Sequence, residues 1–347
     1  MKAIVKLKEG KGYVELIEKP APIPGPGEVK IKVESAGICG TDIKIRNGDA
    51  WSNPPVVLCH EFSGMIIECG EGVNDFQPGD CVVSETAQVV CGKCYYCMSG
   101  HALMCPQRLS IGYGVDGAFA NYIVVRRQIL HRIPEGVSFD QAALCEPLAV
   151  AVHAVFDSVT LTPTDRVLVI GPGTIGLLVA QVVKSFGCEV ICTGTDADKE
   201  RLETARGLGI DHIFNTQREN LAAFVESLTA GMGIDYVFDC SGAASAIVLG
   251  IAVLKRMGTL IQVGLTKPTL EIPYALLPQR ELCIRGTFGH NWKSWKTALE
   301  LMASGKVNVS PLISHIFPMD QWEAAFEMAE KQQGIKVLIH PNQSGDT

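Results

Sequence analysis

Charge and aromatic surface are both scarce in this 347-residue chain: charged residues make up 19%, aromatics 7%, and the net charge is −7. No cluster of lysine and arginine stands out, which excludes nucleic acid and anionic membrane surfaces as expected partners. Long hydrophobic runs are missing too. The longest uncharged stretch, residues 167–183, is 17 residues broken by three glycines, a proline, a threonine and a glutamine. It reads as strand, turn and helix rather than as a membrane span. The opening MKAIVKLKEGKGYVELIEKP has charges throughout and no apolar core segment, so no signal peptide is expected. Internal repeats and low-complexity tracts are also lacking. Apolar residues reach 47%, and a chain of this length is expected to divide into two domains. Cysteine, by contrast, is plentiful at thirteen. Without an export signal, that number points to a reducing compartment, the cytoplasm, where thiols serve as ligands more often than as bridges.

Four of the cysteines fall in VVCGKCYYCMSGHALMC, as Cys91, Cys94, Cys97 and Cys105. The spacing C-x2-C-x2-C-x7-C lets one short loop wrap one ion, and zinc suits four thiolates because a d¹⁰ ion accepts a tetrahedral sulfur shell. A disulfide pair is weakened by the reducing setting, and a C-x-x-C redox centre leaves two cysteines unexplained. Four protein ligands close the shell, so this site is expected to hold a loop in shape and perform no chemistry.

A second set is scattered: Cys39 in AGICGTD, His60 and Glu61 in LCHEFSG, and Glu146 in LCEPLAVAVH. Each has an ordinary reading alone, as a buried thiol, a satisfied core histidine or a helix-entry carboxylate. Together they offer a thiolate, an imidazole and a carboxylate with one coordination position left open, the pattern of a catalytic zinc. Cys59 and Cys145 adjoin proposed ligands, and Cys145 could replace Glu146 as the third ligand. Glu61 is open to three roles: direct ligand, exchange with water, or support from behind the ligands.

The first 150 residues read as β-rich, with EVKIKVESAGI and GDCVVSE as strands and PAPIPGPGE as a loop. From Arg166 strands alternate with helices: RVLVIG, EVICTG, DHIFN, DYVFDCSG and TLIQVG as strands, with SAIVLGIAVLKRMG among the helices. That alternation predicts a doubly wound parallel sheet. Two amphipathic helices, WKTALELMASG and DQWEAAFEMAEKQ, and a strand KVLIH close the chain. RVLVIGPGTIG puts Gly171, Gly173 and Gly176, with Thr174 and Ile175, between a strand and a helix. This is the context of a dinucleotide-binding turn. Thr195 and Asp196 lie near the acid expected to read the ribose 2′-hydroxyl of NAD, so NAD is favoured over NADP. Lys199 and Arg201 stand ready for a 2′-phosphate if Asp196 turns away.

GICGTD, HEFSG, the four-cysteine lobe, EPLAVAVH and GPGTIG, in this order, resemble the zinc-dependent medium-chain alcohol dehydrogenases, in the branch of sorbitol (L-iditol) and threonine dehydrogenases. The resemblance spans essentially the whole chain. It implies an α/β protein: a GroES-like β-rich catalytic domain at residues 1–151 with a zinc lobe near 88–110, a Rossmann domain at 152–287, and a return to the catalytic domain at 288–347. It implies two zinc ions per chain. Cys39, His60 and Glu146 would be ligands of the catalytic zinc, with Glu61 beside them, and Cys91, Cys94, Cys97 and Cys105 ligands of the structural one. It further implies that Thr41 takes the alcohol proton, that a small alcohol is the substrate, and that the chain forms a homodimer or homotetramer.

Three positions depart from the family pattern. Cys59 replaces a glycine before the His-Glu pair, and Lys44 stands where a proton-relaying histidine is frequent. RGTFGHNW lacks the arginine that animal sorbitol dehydrogenases carry nearby. The expected activity is hydride transfer between a secondary alcohol, a polyol or sugar alcohol first, and NAD(P). L-threonine or another amino alcohol is the second substrate class. Against this activity stand a zinc-free quinone reductase on the same fold, a cofactor- or zinc-binding protein without turnover, and a cysteine redox sensor.

Overall fold

The computed structural model describes residues 1–266 and 269–342; residues 343–347 of the expected last segment lie outside it. The chain forms two compact units. One comprises Met1–Glu146, Asn291–Ala303 and the chain from Val309 onward; the other comprises Pro147–His290 and Ser304–Asn308.

The first unit is mostly β. Its largest sheet runs, edge to edge, through Ile313–Pro318, Lys336–His340, Glu28–Gly37, Glu61–Cys69, Cys81–Ser84 and Leu130–Arg132, with Tyr122–Arg126 also paired to Glu28–Gly37. Strict alternation in EVKIKV points Val29, Ile31 and Val33 inward, where they are fully buried with Phe62, Ile66, Phe119 and Phe326. A smaller sheet joins Val14–Glu18, Lys2–Lys6 and Val56–Val57. Three strand ends of the large sheet matter for function. Gly37 is the partner of Glu61 on one side and of Leu338 on the other. That pairing brings the residues just past Gly37, just before Glu61 and just before Leu338 to one edge of the sheet.

In the second unit, strands β1 (Arg166–Ile170), β2 (Glu189–Gly194), β3 (His212–Asn215), β4 (Ile234–Asp239), β5 (Leu254–Gln262) and β6 (Cys283–Gly286) make one parallel sheet. Its order is 3-2-1-4-5-6. This is the doubly wound arrangement in which ligands bind outside the carboxyl ends of the strands. Leu168, Ile191, Phe214, Val237 and Leu260, one from each of β1 to β5, form its core with the covering helices.

One expected helix is shorter than its sequence suggests. SAIVLGIAVLKRMG stays helical only over Ala244–Val253, and Leu254–Gly258 belongs to β5. Leu, Lys, Arg and Met favour helix locally, but Leu254 pairs with Ile234 and Lys255 forms an ion pair with Asp235. Sheet pairing overrides propensity there. The strands Cys283–Gly286 and Ile313–Pro318 have no counterpart in the sequence expectation. No helix among the described residues is long and apolar enough to cross a membrane.

Candidate active site

Cys39 sits at the N-terminus of the helix Gly40–Asn47, two residues past the strand end at Gly37. The helix starts there because Asp42, three residues on, accepts the Cys39 backbone N–H at 2.9 Å. The other oxygen of that buried carboxylate accepts the Cys59 N–H at 3.1 Å, so one aspartate ties the Cys39 turn to the His60 turn. Burial raises the pKa of Asp42, although His60 and the two N–H donors pull against that rise. Cys59 itself adopts φ 81°, the left-handed region that glycine tolerates best.

The ligating atoms of Cys39, His60 and Glu61 all lie within 4.8 Å of one another. His60 is buried, and its Nδ1 has no hydrogen-bond partner. Burial pulls its imidazole pKa down, but the Cys39 thiol, Asp42 and Glu146 outweigh burial and hold it well above the usual histidine value. Glu146, in the first turn of the helix Cys145–Phe156, lies outside the 4.8 Å set yet feels the same charges. Burial, opposed by His60 and reinforced by Glu61, pushes its carboxyl up to about 7. Acids and a thiol thus outnumber the cations here, and an orphan nitrogen faces inward. A divalent cation fits this donor set.

Glu61 is not a free carboxylate. Lys336, buried at the start of its strand, donates to Glu61 Oε2 at 2.6 Å and to the Ile38 carbonyl at 3.0 Å. Burial opposes the lysine charge, but Glu61 and Cys39 outweigh it and raise its pKa. The Thr41 hydroxyl oxygen lies 3.7 Å from Cys39 Sγ, and the Tyr113 ring packs edge-on against His60 at 6.1 Å between centroids. Sequence reasoning does not reach Asp42, Lys336 or Tyr113. Only Asp42 leaves a signal, in the C-x-x-D spacing of a helix start.

Cys91, Cys94, Cys97 and Cys105 also converge, each with a sulfur within 4.8 Å of the others. The Cys94 N–H points to Cys91 Sγ at 3.3 Å, and the Cys91 N–H to Cys105 Sγ at 3.4 Å. Donors from Lys93 and Cys94 lower the Cys91 thiol to about 6, while burial and neighbouring sulfurs push Cys97 up to about 12. The lobe buries little: Tyr95 and Met98 are 80% and 75% exposed. A metal bound by four thiolates would supply the folding energy that packing does not.

In the second unit Gly171, at φ 94°, has no room for a side chain against Ser241, and a Cβ on Gly176 would lie 1.9 Å from the Gly171 carbonyl oxygen. Gly173, which opens the helix Thr174–Lys184, faces open space. Two glycines are thus needed for close packing, and the third leaves the backbone bare where a pyrophosphate would approach. Thr174 and Ile175 occupy the first positions of that helix. Thr195 follows the end of β2, and its N–H and hydroxyl both donate to Asp198, which also pairs with Arg201 at 3.3 Å. Asp196 turns toward the segment after β3. There it accepts from Asn215 Nδ2 at 2.7 Å and Arg218 Nε at 2.5 Å.

Comparison with known proteins shows the family. Residues 25–135 match the alcohol dehydrogenase GroES-like domain, and residues 174–304 match the zinc-binding dehydrogenase family. The chain is 42% identical to a sorbitol dehydrogenase of Halalkalibacterium halodurans, over 98% of this chain and 99% of that protein. It is 38% identical to D-arabitol-phosphate dehydrogenase of Enterococcus avium, covering 99% and 98% of the two chains. Among solved structures, galactitol-1-phosphate dehydrogenase of Escherichia coli superposes with a TM-score of 0.89 at 29% identity, over 98% and 100% of the chains. The chain therefore belongs to the zinc-dependent medium-chain alcohol dehydrogenases, in their sorbitol and threonine dehydrogenase branch, and is an NAD(P)-linked oxidoreductase.

Proposed function

We propose that this enzyme oxidises a secondary alcohol of a polyol or sugar alcohol, and that it carries two zinc ions per chain. One observation carries the reading: the Cys39 thiol from one turn meets the His60 imidazole and the adjoining Glu61 carboxylate from another within 4.8 Å, beside the Thr41 hydroxyl. The polyol class is supported by two relatives that match over nearly the whole chain, one a sorbitol and the other an arabitol-phosphate dehydrogenase.

Cys39, His60 and Glu146 would hold the catalytic ion, whose Lewis acidity lowers the pKa of a substrate hydroxyl. Glu61, anchored by Lys336, adds negative charge from beside them. The Thr41 hydroxyl is placed to accept the alcohol proton in a hydrogen bond. Lys44, exposed on the same helix, cannot relay that proton as an imidazole would, so the proton would pass from Thr41 to water or to the cofactor ribose. The Gly171–Gly176 turn holds the dinucleotide, whose nicotinamide supplies the hydride acceptor. Cys91, Cys94, Cys97 and Cys105 would hold the second ion without taking part in chemistry.

All the cysteines of the chain are free thiols, which supports a cytoplasmic setting. Every residue of the edge strand β6 is exposed, which supports pairing between copies in a homodimer or homotetramer.

A spectrophotometric screen of polyols, polyol phosphates and L-threonine with NAD⁺ and NADP⁺ tests the function. Turnover should follow the polyols and vanish when the catalytic zinc is removed. A zinc-loaded chain that turns over no alcohol would be a binding protein instead, and one that turns over threonine alone would shift the substrate class.

A further inference from the structure

Glu146 reaches the catalytic cluster on a path of its own. Cys39, His60, Glu61 and Lys336 come from strand ends that share one edge, whereas Glu146 follows the short helix Phe139–Ala143 by three residues. What holds that helix decides where the carboxylate stands. Ala142, Ala143, Leu144 and Cys145 are buried, and the Leu144 N–H donates to the Gln141 carbonyl at 3.0 Å. Little slack therefore separates the helix from Glu146.

The helix packs on the strands Glu28–Gly37 and Glu61–Cys69. Alternation sends Phe62, Val337 and Ile339 into the core, and their neighbours Glu61, Ser63, Lys336 and His340 to the opposite face. Two of these four make the Glu61–Lys336 pair, and the other two grip the helix. The buried Ser63 Oγ donates to the Phe139 carbonyl at 2.6 Å, and His340 Nε2 and Asp140 Oδ1 are 2.7 Å apart. The His340 hydrogen bond is the chief cause that holds the Asp140 carboxyl below its ordinary pKa, against burial. Gln141 Nε2 adds a third tie, to Ser310 Oγ at 2.9 Å.

Resting on the reading of Glu146 as a ligand of the catalytic ion, we infer that Ser63, Asp140 and His340 are positioning residues for that ligand. They pin the helix Phe139–Ala143, and the Glu146 turn with it, to the same two strands that set Glu61 and Lys336. Glu146 stands outside the 4.8 Å set but close enough to feel His60, Glu61, Lys336 and Asp42. A small drift of its turn therefore decides whether its oxygen reaches the ion. Partners that orient a ligand are typically worth about ten- to a hundredfold in metal affinity.

The test loads cobalt(II) into the catalytic site of the full chain, with zinc kept in the cysteine lobe. Dye competition reads the affinity, and the visible absorption bands read the ligand geometry. Ser63→Ala, Asp140→Ala and His340→Ala should each weaken cobalt about tenfold or more and shift those bands. Asp140→Asn and His340→Gln, which keep a hydrogen bond between the two positions, should stay within about threefold of the parent. In a Glu146→Ala background the Ser63→Ala and Asp140→Ala penalties should vanish, because they act only through that ligand. Unchanged affinity and bands in the alanine variants would overturn the inference, and so would a penalty that persists without Glu146. If Asp140→Ala or His340→Ala fails to fold, Ser63→Ala, which removes one hydrogen bond, carries the same comparison. Should Glu146→Ala itself leave affinity and bands unchanged, Glu146 is not a ligand, and that reading falls together with this one.

Discussion

Thr41 is separated from Cys39 by one glycine, and the helix start that Asp42 caps holds the two side chains 3.7 Å apart. Replacing Thr41 by valine keeps the volume and removes the hydroxyl. Turnover should drop by about 10² to 10⁴, the usual weight of a proton-transfer group, with zinc content unchanged by elemental analysis. A variant as active as the parent would remove Thr41 from the proton path. Glu146 sets a pH dependence. Its carboxyl is raised by burial to about 7, and a ligand must be deprotonated to bind metal. Zinc affinity at this site should therefore fall as pH drops, through protonation of both His60 and Glu146, and Glu146→Gln should make that fall shallower in competition titrations with a chelating dye. The linkage runs the other way for the metal-free chain. A folded-state pKa above the unfolded value stabilises the fold at low pH and loses that contribution as pH rises through about 7. Cys59 shows how much of this is residue-level constraint. Its φ of 81° explains why glycine is the family's habit there, and Gly117, whose Cβ would lie 2.2 Å from the Cys59 carbonyl oxygen, leaves room for the strained turn.

The turn and lobe segments are legible because local chemistry alone forces them. GPGTIG between a β-branched strand and an apolar helix admits little but the observed loop, since Gly176 must pass within reach of the Gly171 carbonyl. Gly176→Ala should abolish dinucleotide binding by calorimetry while both metal sites remain filled; retained binding would mean that the helix shifts to make room. The four-cysteine lobe is equally local, with all ligands inside fifteen residues. Because it buries little apolar surface, Cys97→Ser should leave it open to limited proteolysis near Tyr95 and lower the zinc content by one per chain. A lobe that stays protected without its metal would contradict a folding role for the ion. Elsewhere local pattern misleads where pairing outweighs propensity. Lys255 joins a strand because Asp235 lies across from it, which nothing in LKRMG reveals.

At the scale of the whole chain, each unit builds its own ligand site: thiol, imidazole and carboxylates in the first, a glycine-rich strand-to-helix turn in the second. The two functions should then respond separately. At a dinucleotide concentration near a hundred times its dissociation constant, linkage adds about 2.7 kcal/mol to the state that binds it. Scanning calorimetry should show that upward shift in the parent and equally in Cys39→Ser, which lacks the catalytic metal. Loss of the shift in the variant would show that metal and dinucleotide are bound interdependently.

Residue identity and spacing along the chain determined the class of fold, the glycine turn and the four-thiol cage, because each of those depends on neighbours within a few tens of residues. Residue types also named Cys39, His60, Glu61 and Glu146 as candidates, but not which of them meet. Tertiary structure decided that, by pairing Gly37 with both Glu61 and Leu338 so that three strand ends share one edge. It alone placed Lys336 against Glu61, 275 residues away, and turned Asp196 toward Arg218. Side-chain partners so distant, and orientations set by one hydrogen bond, follow from how the sheets close and leave no periodic trace in the chain.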